Sequence, residues 1–104
     1  MSLMAVDQNS LPVQAFRLPA SGLTGKVTMT VANTSYASAA LAAGIYRIVC
    51  SSLTYVCSGA APSALATDMP MGANKEEYFY INAGEKIAGQ SAAAGATITY
   101  TRMP

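Results

Sequence analysis

Polar and apolar residues alternate along Lys26-Val27-Thr28-Met29-Thr30-Val31-Ala32 with the period of two that a half-buried β-strand requires. Asn33-Thr34-Ser35 ends this segment, and the alanine-rich stretch 36–43 reads as strand or loop. After Gly44, Ile45-Tyr46-Arg47-Ile48-Val49-Cys50 predicts a second strand. Leu53-Thr54-Tyr55-Val56-Cys57-Ser58 predicts its hairpin partner, with Ser51-Ser52 as the turn. Glu77-Tyr78-Phe79-Tyr80-Ile81-Asn82 follows, then a turn at Ala83-Gly84, a short strand over 85–90, a turn at Ala93-Ala94-Gly95 and a closing strand over 96–102. No segment carries the 3.6-residue period of an amphipathic helix. Short strands spaced by roughly 8–12 residues with turn signals between them predict an all-β fold, a β-sandwich or jelly-roll-like barrel.

The flanks of this pattern differ from it. Residues 1–24 show no period, are interrupted by Pro12 and Pro19, and end at a Ser21-Gly22 turn signal. They predict an extended N-terminal arm preceding a single domain over 25–104. The arm carries Leu3, Met4, Val6, Leu11, Val13, Phe16 and Leu18, too many apolar residues for a solvated tail, so it is expected to pack on its own domain or on a neighbour. Residues 59–76 read as one long loop containing Gly59, Pro62, Pro70 and Gly72. A connection of that length points to an interface role, and Met69 and Met71 suit it because methionine adapts to irregular partner surfaces.

Composition narrows the partners. Of 104 residues only 11% are charged against 52% hydrophobic, and the formal net charge is +1. A surface built from Ser, Thr, Ala, Gly and Asn can be covered by another chain without stranding charges. The six basic residues are dispersed from Arg17 to Arg102, which argues against nucleic-acid binding. No stretch approaches the ~20 apolar residues of a membrane span. The N-terminus lacks a basic segment leading into an apolar run, so no secretory signal is read and a cytoplasmic origin with reduced thiols is expected. On the predicted hairpin Cys50 and Cys57 share a sheet face several pairs apart, which disfavours a disulfide and makes them small core residues.

Catalytic arrangements do not emerge. The chain has no histidine, which removes Ser–His and Cys–His pairs. Glu76 and Glu77 are strand neighbours pointing to opposite sides, while Asp7, Asp68 and Glu85 read as turn residues. A serine–lysine dyad through Lys26, Lys75 or Lys86 has no supporting pattern. No enzyme activity, cofactor or metal is expected. The tyrosines are more informative. Tyr46, Tyr55, Tyr78, Tyr80 and Tyr100 all fall on predicted strands, and Tyr78 and Tyr80 share one face opposite Phe79 and Ile81, a face that either meets solvent or a partner or is covered by a second sheet.

The segments Gly44-Ile45-Tyr46-Arg47-Ile48-Val49, Tyr55-Val56 with Gly59 and Pro62-Ser63-Ala64, Met69-Pro70, Glu77-Tyr78-Phe79, Gly84-Glu85-Lys86-Ile87-Ala88 and Gly95-Ala96-Thr97-Ile98-Thr99 follow one another in an order that resembles small structural proteins of tailed bacteriophages. The resemblance covers roughly residues 44–101 and is to a broad group. Thr54 and Ser58 depart from its cysteine and aromatic, and the arm has no counterpart. It implies a virion component on the capsid exterior, assembled in the host cytoplasm. The implied role is a capsid cement or decoration protein whose partners are the major capsid protein and itself, as a dimer or trimer. The competing expectation is a head-fibre or tail-associated receptor- or carbohydrate-binding module. The residues expected to touch a partner are Leu3, Met4, Val6, Leu11, Val13 and Phe16 on the arm, with Met69, Met71, Tyr78 and Tyr80 on the domain.

Overall fold

The computed structural model describes residues 22–104 and, ahead of them, the backbone of two short strands, β1 (Met4–Val6) and β2 (Pro12–Gln14). These two pair antiparallel, with Ala5 opposite Val13. Leu3, Leu11, Phe16 and Leu18 of the expected arm lie outside the described residues. So do the side chains of Met4, Val6 and Val13.

Eight further strands form the domain: β3 (Thr24–Met29), β4 (Tyr36–Ala37), β5 (Gly44–Cys50), β6 (Thr54–Gly59), β7 (Met69–Met71), β8 (Glu76–Ile81), β9 (Lys86–Ser91) and β10 (Ala96–Arg102). They make two four-stranded antiparallel sheets, ordered β3-β10-β5-β8 and β4-β9-β6-β7. The all-β sandwich expected from the periodicity is the observed fold. Its strand order is that of a jelly roll, in which the chain alternates between sheets and the last strand inserts between the first and third.

The strands alternate as their sequence dictates, except β9, which buries Ile87, Ala88 and Gly89 in succession. Val27 and Met29, Tyr46, Ile48 and Cys50, Ile81, and Ala96 and Ile98 turn inward from the first sheet. Val56, Met71 and Ile87 turn inward from the second. The sheets approach closely at Gly89, where an added Cβ would overlap the Ile98 side chain and crowd the Thr54 methyl. The buried hydroxyls are satisfied locally: Thr54 donates to Ser52 O (2.9 Å) and Ser91 to Leu53 O (2.8 Å).

Two sequence expectations are corrected. Ser51-Ser52 is not a hairpin turn. β5 pairs with β10 and β8, and β6 pairs with β9 and β7. Ser51 instead prolongs the β5–β10 ladder, its N–H donating to Thr97 O (2.9 Å) and its Oγ accepting from Thr97 N–H (2.8 Å), before the chain crosses to the other sheet. Both flanks of β5 are filled by distant strands, so no position beside it is left for β6. The second correction concerns residues 59–76, which are not one loop. Met69–Met71 form an edge strand paired with Thr54–Val56, and Met71 is wholly buried in the core.

Gly89→Ala is expected to lower stability by about 1–3 kcal/mol through overpacking against Ile98, read as a lower denaturant midpoint with unchanged slope. Stability equal to the parent would remove Gly89 from the role of sheet spacer.

Candidate functional site: the outer face and open edge of the first sheet

The period-two pattern that fills the core leaves a second, outward-facing set on the same strands. On β8 it is Glu76, Tyr78 and Tyr80, and on β5 it is Ile45, Arg47 and Val49. The register brings Tyr80 opposite Ile45, Tyr78 opposite Arg47 and Glu76 opposite Val49. The face continues through Thr97, Thr99 and Thr101 on β10, opposite Thr28, Lys26 and Thr24 on β3. Thr24 and Thr101 join hydroxyls at 2.8 Å. Half of the face is therefore a threonine lattice and the other half an aromatic–aliphatic margin. Tyr80 is 63% exposed, Tyr78 46% and Ile45 43%. Arg47 and Glu76 contact at 3.3 Å, an exposed pair worth no more than about 1 kcal/mol, and it leaves this stretch of the face electrically neutral.

The direction of the backbone groups on β8 follows from its neighbours. Met103 N–H donates to Ile45 O at 2.8 Å, which turns the peptide groups of Ile45 toward the β10 side. In an antiparallel ladder the opposed residue, Tyr80, then directs its own N–H and C=O away from β5. Cys50 gives the same phase from the other parity, because its carbonyl accepts from Asn74 N–H (2.7 Å) on the β8 side. Among the described residues no strand pairs with that outer side of β8. The other edges are protected as edges usually are: β4 has two residues, β7 has three including Pro70, and β3 carries Lys26 at its centre. β8 has six residues, no proline and its charges confined to the first two positions.

Beneath this edge a cleft of about 250 Å³ opens between the sheets. Its walls are Ile48, Val56, Met69, Phe79, Ile81 and Ile87, and its margin is Cys57, Ser58 and Tyr80. Cys57 is a free thiol but, against the sequence expectation, not a core residue: it lies half-buried on a different sheet from the fully buried Cys50. Burial pushes the Cys57 thiol above its ordinary value, and the charge of Asp68 and a hydrogen bond to that carboxylate push the same way. Burial is also the main cause of the upward shift at Cys50 and at Tyr100.

Of the expected contact residues, the structure brings Met69, Tyr78 and Tyr80 to one edge. It removes Met71, whose side chain belongs to the core. Ile45 was missed by the sequence reading, although the alternation around Arg47 marks its outward phase. Glu76 and Glu77 diverge to opposite faces as expected. Asp68 accepts from Leu65 N–H (2.7 Å) and Glu85 from Asn82 N–H (3.0 Å), both as turn caps. No group of three potential metal ligands occurs among the described residues. No family model, curated protein or solved structure matches this chain.

The raised thiols stabilise the fold only while they stay protonated in both states. Stability is thus expected to be level below about pH 9, the ordinary thiol value of 9.0, and to fall as pH climbs through the higher folded-state values. Melting curves between pH 7 and 10.5 measure this. A midpoint that rises above pH 9 would contradict it.

Proposed function

We propose that this protein is a non-catalytic virion subunit, a cement or decoration protein that docks on the outer lattice of the major capsid protein. The observation that carries this reading is the outer face of the β3-β10-β5-β8 sheet. It is nearly neutral and threonine-rich, and its exposed margin is Ile45, Tyr78 and Tyr80. Tyrosine and aliphatic side chains at the centre of a contact with hydroxyls around them are what a protein partner covers at little desolvation cost. The segments that resemble phage structural proteins fall on β5 to β10 and their connections. A jelly roll is a frequent capsid-associated architecture, an argument by analogy of fold.

A carbohydrate-binding module would need a concave site with several convergent polar groups. The cleft beneath β8 has mainly apolar walls, which favours a protein partner over a glycan.

Co-sedimentation with capsids of the cognate phage lacking this subunit tests the reading. Ile45→Glu places a charge in the margin without touching the core, and is expected to weaken attachment about tenfold or more with the melting midpoint preserved. Attachment that is undiminished would exclude this face. Deletion of residues 1–20 is expected to weaken capsid attachment while leaving the domain folded, as read by circular dichroism. Loss of the folded state on deletion would mean that the segment is part of the domain.

A further inference from the structure

We infer that the cleft between the two sheets is a binding site for a small, neutral, apolar molecule of the class of the medium-chain aliphatic alcohols. The inference concerns the free protein and does not depend on capsid docking.

Four observations select this occupant. The first is the lining. The floor of the cleft is Ile48, Val56, Ile81 and Ile87, each almost wholly buried, and none of the lining residues is charged. A charged ligand would lose its hydration there and find no counter-ion, and a ligand with many hydroxyls would leave most of them unbonded.

The second is size. The cleft measures about 250 Å³. A cavity of about 150 Å³ with aliphatic and aromatic walls takes up benzene, so this one has room for about ten non-hydrogen atoms.

The third is the mouth, which lies between β8 on one sheet and β6 and β7 on the other, beside the half-buried Phe79 and the 42% exposed Met69. Neither lip accepts an added strand. Just past β8, Asn82 N–H donates to the Glu85 carboxylate (3.0 Å) and Asn82 O accepts from Glu85 N–H (3.1 Å), and Tyr78 has an interaction of its own. On the other lip Pro70 has no N–H to offer. The occupant is therefore one that needs no backbone ladder.

The fourth is a single polar handle. Alternation puts Ser58 in the same inward phase as Val56, at the mouth. Its hydroxyl is exposed and has no protein partner among the described residues. The other polar residues of the margin, Cys57 and Tyr80, belong to the outward phase of their strands. One hydroxyl at the entrance of an apolar slot matches one hydroxyl at the end of a hydrocarbon chain, the pairing of apolar walls with few orienting groups that small-molecule sites use.

The test uses the full-length chain with 1-octanol as the probe and octanoate as its charged counterpart. Two-dimensional amide NMR at neutral pH is expected to show saturable shifts with octanol, clustered on β6, β7, β8 and the start of β9. Octanoate is expected to bind at least about tenfold more weakly. Met69→Trp sets an indole across the mouth from an exposed position. It is expected to weaken octanol binding about tenfold or more with an unchanged circular dichroism spectrum. Should that variant fail to fold, Phe79→Trp obstructs the same mouth and is expected to give the same loss. Ser58→Ala is expected to weaken octanol binding roughly three- to tenfold. Shifts that never saturate or that spread over the whole domain, octanoate binding as tight as octanol binding, or binding indifferent to the substitutions at the mouth would each overturn the proposal. Affinity unchanged in Ser58→Ala would overturn the assignment to alcohols.

Discussion

The packing of Ile98 against Gly89 governs the rest of the molecule. Ile98 lies mid-way along β10, the strand that sits between β3 and β5, and its side chain occupies the space that Gly89 leaves by having no Cβ. Two β-sheets pack about 10 Å apart, and a small residue opposite a branched one allows their inner faces to interdigitate at that spacing. Met29, Met71 and Ile87 then fill the volume around this point with no exposed surface or almost none. The flexible thioethers suit the irregular gaps that two twisted sheets leave.

This packing dictates how the chain runs. Every connection from β3 to β10 except β6–β7 passes from one sheet to the other. Neighbours in sequence therefore rarely become neighbours in a sheet, and long-range pairing carries the architecture. Cys50 and Cys57 illustrate the effect: they are close along the chain, yet one is sealed in the core and the other sits on the second sheet beside Asp68. The topology also decides which strands are edges. β8 lies at one margin of the first sheet, six residues long and without a proline.

The outer face and the open edge have one physical origin. A strand with alternating residues must place half of them away from the core, and a chain with few charges fills many of those positions with hydroxyls and tyrosines. On β3 and β10 those positions are threonines apart from Lys26, and the branched threonine side chains favour the strand conformation and stay hydrated. On β5 and β8 they are Ile45, Val49, Tyr78 and Tyr80, which water solvates poorly, together with the Arg47–Glu76 pair. The contrast between the two halves of one sheet gives the proposed interface its position and its chemistry.

The sequence by itself determined the class of fold, the inward and outward phase of each long strand, and the pairing of Tyr78 with Tyr80 on one face, because alternation is a local property of the extended chain. It also showed that Cys50 and Cys57 would stay unbridged, although through a hairpin that does not form. Tertiary structure decided which strands are neighbours, that Met69–Met71 is an edge strand with Met71 buried, that Ile45 joins the tyrosines, and that β8 lies at the margin of the first sheet. Those outcomes depend on which distant strand fills each side of a sheet. That choice is made by the packing of both sheets at once, and no local pattern encodes it.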